Sequence, residues 1–262
     1  MKLMIRSFRH ALLGAALLVS VAHAQEAAPS ARDLAARLSD GLQDGSSLVR
    51  LKMNVNQAAA GTKTALQLQV KSQRNKDSTE ILYQVLWPKE RKGESFVLRK
   101  SGKSAPTGAV FTLPDSLVTL TPSKMKEGIF SSDLSYDDLV ENFFAWENQT
   151  IVGTESLAGA QCQILESKPG KNDLTNYSKV KSWIDTKRMV TLRVEKFSES
   201  GKLAKRIDTT RVAKDDTGKS VASSFSLQRS DASVTEIEGS NSKHGMTFPA
   251  SDFDPEALRT LK

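Results

Sequence analysis

Apolar and polar residues alternate one for one along several short stretches of this chain. That period of two admits little besides half-buried β-strands, because successive strand side chains point to opposite faces of a sheet. Leu51-Lys52-Met53-Asn54-Val55 alternates strictly, and so does Leu66-Gln67-Leu68-Gln69-Val70-Lys71. Ile81, Tyr83, Val85 and Trp87 share one face of a third strand, although Leu82 and Leu86 make its other face apolar too; Pro88 ends it. Phe96-Val97-Leu98 continues the sheet. Further strands are predicted over 151–152, 161–166, 180–184, 190–197, 204–212, 220–228 and 233–239. Gly-rich or charged turns separate them, such as Lys168-Pro169-Gly170, Ser200-Gly201-Lys202 and Asp215-Asp216-Thr217-Gly218. The spacing of about 10 to 15 residues is that of a large meandering antiparallel sheet. The fold class is mainly β (α+β), in one domain.

Three helical signals interrupt the strands. Ser30 and Asp33 offer a capping pair before Leu34, Leu38 and Leu42, which repeat every four residues. In the middle of the chain stands Ser131-Ser132-Asp133-Leu134-Ser135-Tyr136-Asp137-Asp138-Leu139. Ser135 with Asp138 forms a near capping box, with Asp where Glu or Gln is usual. Leu139, Val140, Phe143 and Phe144 then fall on one helical stripe, which predicts an amphipathic helix set into a sheet protein as a lid. Asp254-Pro255 opens a last short helix, with Pro at its favoured first position.

The first 24 residues read as a signal peptide and residues 25–262 as the domain. Lys2, Arg6 and Arg9 form a basic start, 11–21 a short apolar run, and Ala22-His23-Ala24 a cleavage site. The run is short of the roughly 20 residues that span a bilayer. Cleavage after Ala24 would leave Gln25 first, with no cysteine to lipidate, so the expectation is a soluble, exported, periplasmic protein. Losing three basic residues and no acid leaves about +4 of the +7 formal charge. The remaining basic residues are interleaved with acids along the strands, as on solvated sheet faces, and no nucleic-acid partner is expected. Transient contact with an anionic membrane surface stays open. Cys162 is the one cysteine, so no internal disulfide forms; beside Ile164 and Leu165 it reads as a small buried hydrophobe, with an exposed thiol as the alternative.

Catalytic signatures are missing. His244 is the one histidine after the first 24 residues, and a lone histidine with one distant cysteine makes no metal cluster. No G-x-S-x-G elbow exists. Gly102-Lys103-Ser104 and Gly218-Lys219-Ser220 end like phosphate loops, but Val97 and Ala213 stand where the upstream glycine belongs. The pairs Asp137–Asp138 and Asp215–Asp216 are better explained by a helix start and a turn. No enzymatic activity, cofactor, catalytic residue or metal ligand is expected.

Several segments resemble one family, the outer-membrane lipoprotein-sorting proteins related to the periplasmic lipoprotein carrier LolA. They are 87–98, the 131–139 segment, then Cys162 with Leu165, Glu166 and Pro169, Tyr177, Trp183-Ile184-Asp185, Glu195, Gly201-Lys202, Lys205, and Phe253 to Leu261. Departures fall at 110–114, at 117–120, and at Ser132 and Leu134, which replace a usual Gly and Phe. The resemblance implies an incomplete antiparallel β-barrel of about eleven strands with a helical lid, whose apolar concave face takes up acyl chains. It implies a lipidated protein or lipid as cargo, carried as by a chaperone to an outer-membrane acceptor, and an inner-membrane exporter (RND or MMPL type) as partner. An envelope sensor or accessory binding module for an exporter or signalling protein is the alternative.

Leu66, Leu68, Val70, Tyr83, Val85, Phe96 and Leu98 are the expected cavity wall, and Leu139, Phe143 and Phe144 the expected lid contacts. The same strand residues would equally form a plain dry core.

Overall fold

The computed structural model describes residues 29–43, 45–229 and 233–261; the expected signal peptide lies outside them. Among the described residues, one helix, α1 (Ala31–Leu42), precedes the sheet. Ser30 caps it as expected, its hydroxyl accepting from the Asp33 amide at 3.2 Å. Leu34, Ala35 and Leu38 are buried, while Leu42 at the frayed end is exposed. No helix among the described residues is long and apolar enough to cross a membrane.

Among the described residues, thirteen strands form one antiparallel sheet. The first group is β1 (Gly45–Gln57), β2 (Thr62–Arg74), β3 (Ser78–Trp87), β4 (Ser95–Ser101), β5 (Thr107–Thr112) and β6 (Ser116–Thr119). The second is β7 (Asn148–Leu157), β8 (Ala160–Lys168), β9 (Tyr177–Asp185), β10 (Val190–Ser198), β11 (Leu203–Lys214), β12 (Ser220–Arg229) and β13 (Ser233–His244). Each group is a simple meander, and the two join where β1 pairs with β13. β6 and β7 are the two edges of the sheet and do not pair, so the barrel stays open between them. The count is thirteen rather than about eleven. The two added strands are β5 and β6, six and four residues long, too short for alternation to reveal.

The two faces of the first meander are covered differently. Its concave face carries Met53, Val55, Leu66, Leu68, Val70, Ile81, Tyr83, Val85, Phe96 and Leu98, joined by Leu227 and Ile237 from β12 and β13. Its convex face carries Leu82, Val97, Ala109 and Phe111. The chain end lies on these as two 3₁₀ segments, Ala250–Phe253 and Pro255–Thr260, burying Phe253 and Leu258. This explains why β3 is apolar on both sides. Cys162 is buried in β8, among Trp183, Val190 and Leu192.

Candidate functional site

The chain crosses the open side of the barrel between β6 and β7 as a strap, residues 120–147. It contains 3₁₀ turns at Lys124–Lys126, Ile129–Ser131 and Phe143–Ala145, and a second helix, α2 (Tyr136–Val140). The capping box is present in both directions: the Ser135 hydroxyl accepts from the Asp138 amide, and the Asp138 carboxylate accepts from the Ser135 amide at 2.9 Å. The expected longer helix is not. α2 ends after five residues, Glu141 is extended, and Phe143 and Phe144 sit on a separate turn. Five residues hold no helix by themselves. Tertiary contacts decide instead, since Asn142 donates to Ser39 of α1 at 2.9 Å and Phe143 and Phe144 pack with Leu34, Leu38, Leu165 and Ile184.

All seven expected wall residues are brought together in the concave cluster. They are not open to solvent, because the strap fills the space over them. Leu120, Met125, Ile129, Leu134, Tyr136 and Val140 are buried against the wall, with Phe130 and Leu139 half-buried beside them. Phe96 stacks on Tyr83 at 4.8 Å, and from above it meets the edge of Tyr136 at 4.9 Å and Phe130 at 5.5 Å. Of the three expected lid contacts, Leu139 reaches the wall cluster; Phe143 and Phe144 join α1 instead. The strap residues that meet the wall most directly, Phe130 and Tyr136, escape helical-stripe reasoning because they lie before and at the start of α2. Burial pushes the phenols of Tyr83 and Tyr136 up to about 12.

Polar contacts pin the strap on both sides of the gap. From the first meander, Gln57 of β1 donates to the Ser131 carbonyl at 2.8 Å and Arg74 of β2 to the Leu139 carbonyl at 3.0 Å. From the second, Thr235 of β13 donates to the buried Asp133 carboxylate at 2.9 Å and accepts from the Asp133 amide at 3.0 Å. Phe130 and Ser131 have left-handed backbone angles, and at Gly128 an added Cβ would lie 1.8 Å from the Ser132 carbonyl oxygen. Only glycine permits so close an approach at that turn.

A buried charge cluster forms a further tether. Asp138 (side chain 2% exposed) receives Lys196 of β10 (3% exposed) at 2.7 Å, Tyr177 of β9 at 3.0 Å, and Lys205 of β11. Lys196 also reaches Glu141 at 2.7 Å and lies 4.8 Å over the Tyr177 ring. Desolvation opposes ionisation of Asp138, but Lys196 and Lys205 outweigh it and hold the carboxyl far below the usual range. Desolvation likewise opposes the charge on Lys196, and Asp138 and Glu141 outweigh it and hold the ammonium well above its ordinary value. Burial and the Asp138 charge push the Tyr177 phenol far up. A general acid or base works best with a pKa near the operating pH. These three groups are all driven away from it. Asp137, on the same helix, is the reverse case: burial and its neighbours Glu141 and Asp138 raise its carboxyl.

Beside α2 lies an open cleft of about 810 Å³. Met125 and Val140 of the strap, Leu174 of the β8–β9 connection, Tyr177 of β9 and Lys205 of β11 line part of it. Met125 and Val140 also belong to the concave cluster, so the cleft borders it.

His244 has company that sequence reasoning missed, because that reasoning asked for histidine or cysteine partners. Asp215, Asp216 and His244 bring their ligand-type atoms within 4.8 Å of one another. Asp216 pairs with the ring Nδ1 and accepts from the His244 amide at 2.9 Å. Asp215 is occupied by the amides of Thr217 and Lys219, both at 2.9 Å, as a turn residue would be.

Solved structures share this architecture. A DUF1329 family protein from Desulfovibrio piger superposes with TM-score 0.79 at 22% identity, covering 87% of this chain and 97% of that one. A domain described as an outer membrane lipoprotein-sorting protein, from Vibrio parahaemolyticus, gives 0.74 at 19%, covering 86% and 97%. A LolA superfamily protein from Nitrosomonas europaea gives 0.65 at 17%, covering 87% and 98%. The fold is LolA-like. At these identities the likeness is one of fold. A family model described as that of an uncharacterized protein matches residues 77–260, and the chain belongs to that family. No curated protein matches the sequence. The matched residues 77–260 take in the strap and the three meander residues, Tyr177, Lys196 and Lys205, that hold its charge cluster.

Proposed function

We propose that the protein is a non-enzymatic periplasmic carrier. In this reading it takes acyl chains of lipoproteins or lipids onto the concave face and carries them toward the outer membrane. The observation that carries the reading is the strap itself. It lays Phe130, Leu134 and Tyr136 over a continuous apolar wall, yet it is tied down by side-chain hydrogen bonds and ion pairs rather than by strand pairing. An acyl chain needs such a wall, since each methylene left in water costs roughly 0.8 kcal/mol. A segment that covers the wall when empty and lifts when loaded would give shielding together with release. The wall is Leu66, Leu68, Val70, Tyr83, Val85, Phe96 and Leu98, and Leu139 rides on the moving strap.

The test is direct. Solvent extraction and mass analysis of the purified protein should return acyl lipid, and a fluorescent fatty acid should bind saturably. Replacing Gln57 and Ser131 by cysteine and bridging them with a thiol cross-linker should block that binding, since the native Cys162 is buried. Absence of lipid together with absence of saturable binding sinks the carrier reading. Capture of an inner-membrane exporter or signalling protein without lipid would favour the accessory-module alternative.

A further inference from the structure

The end of the barrel where β3 and β5 run out exposes apolar side chains that the fold leaves uncovered. Gln84, Ser95 and Phe111 lie in one row across β3, β4 and β5. Trp87, the last residue of β3, stands three residues beyond that row, and Leu113, in the turn just past β5, stands two beyond it; only β4 separates the two strands. At the usual strand spacing they are roughly 10 Å apart across the sheet. Trp87 is 50% exposed and Leu113 42%. The β1–β2 turn, Ala58–Ala60, projects from the same end and is exposed as well.

The charges of this tip are one-sided. Lys63, Lys89 and Lys92 are exposed, with no ion-pair partner among the described residues. Its other charges are largely spent: Arg91 pairs with Glu94 and Asp115 with Arg259, which leaves Glu90 as the exposed free acid. Arg91 also lies 5.7 Å over the Phe130 ring, so the tip touches the strap.

We infer that this tip is a docking surface for an anionic lipid bilayer. Trp87 and Leu113 enter the headgroup region, and Lys63, Lys89 and Lys92 face lipid phosphates. Tryptophan, with an apolar ring and one N–H donor, suits the membrane–water interface. Unpaired lysines beside it match a negative surface. The cores of protein–protein interfaces are depleted in lysine, which ranks a protein partner lower. The inference is independent of cargo, and its test contains none.

The experiment uses the soluble protein with vesicles of phosphatidylethanolamine and phosphatidylglycerol, and with phosphatidylcholine vesicles for comparison. The protein should co-sediment with the anionic vesicles and release them in high salt. Its tryptophan emission should shift to the blue on binding, and the shift should vanish in Trp87→Phe, because Trp146 and Trp183 are buried. Leu113→Ala and the double variant Lys89→Glu/Lys92→Glu should each bind at least tenfold more weakly, with unchanged melting since all three residues are exposed. Equal binding to both vesicle types, or unimpaired binding by these variants, overturns the inference. So does self-association abolished by Trp87→Ala with no vesicle binding, which would assign the tip to a second copy of the chain.

Discussion

Truncating Asp138 to alanine should open the strap without unfolding the barrel. The carboxylate accepts from the Ser135 amide and hydroxyl at 2.9 and 2.7 Å, from Lys196 at 2.7 Å, from Tyr177 at 3.0 Å, and from Lys205. Removing one member of a buried pair costs about 3–5 kcal/mol. The lower figure applies, because Lys196 keeps Glu141. The penalty falls on the closed strap, since Lys205 and Tyr177 regain water once the strap lifts. At about 1.4 kcal/mol per factor of ten, a loss of about 3 kcal/mol shifts the closed-to-open ratio on the order of a hundredfold. An acyl probe that needs the open form has an apparent dissociation constant equal to the intrinsic one divided by the open fraction. Asp138→Ala should therefore bind a fluorescent fatty acid more tightly, by up to the same factor. Hydrogen exchange over 129–140 should accelerate while β2 and β3 stay protected. Unchanged exchange in the strap, or weaker probe binding by a folded variant, would refute the latch.

Three further outcomes follow from the same cluster and its supports. The Asp138 carboxyl lies below its ordinary value, so its contribution is present above about pH 4 and is lost as pH falls through the depressed value. The Lys196 ammonium lies above its ordinary value, so its contribution is full below about pH 10 and is lost as pH rises through the raised value. Neither group should therefore contribute a change in strap protection, corrected for intrinsic exchange, between about pH 5 and pH 9 (limits roughly one unit inside those values); in Asp137→Asn, which removes the neighbouring raised carboxyl, an opening midpoint near neutrality would contradict it. Asp137 has a raised carboxyl and costs stability once ionised, so Asp137→Asn should slow strap exchange at neutral pH and lose that advantage in acid. Gly128→Ala places a methyl against the Ser132 carbonyl and should cost about 2 kcal/mol or more, read as a lowered denaturation midpoint with strap exchange affected first.

The parts of this fold that follow from local rules were legible in the sequence. The alternation in 51–55 and 66–71 marks β1 and β2, Ser30 starts α1, and Ser135 with Asp138 makes a capping box. That Leu66, Leu68, Val70, Tyr83, Val85, Phe96 and Leu98 share one buried face was legible for the same reason, because a period of two assigns each strand residue to a face. What governs the strap was not. Lys196 reads as a solvated strand lysine until the fold brings Asp138 and Glu141, more than fifty positions away, into contact with it. The helix beyond Val140 was over-read because Phe143 and Phe144 keep helical spacing, while α1 provides a better place for them. Phe130 and Tyr136 showed no period at all. Their role arises from a left-handed turn at Phe130 and Ser131, which no residue-type preference announces.

The pairing of β1 with β13 bears on how the chain reaches this structure. Every other strand pair joins sequence neighbours, but Ser47 meets His244 across nearly the whole domain. Closing so long a loop adds roughly 0.6 kcal/mol of entropic cost per doubling of its length relative to a hairpin. The two meanders can therefore form early and locally, and the seam between them waits for the last strand. A chain threaded from its N-terminus would hold an unpaired β1 edge until β13 arrived. Rejoining the termini and cutting within the strap would convert that distant contact into a local one. Such a permutant should refold faster, at the expense of the tether that spans the open side.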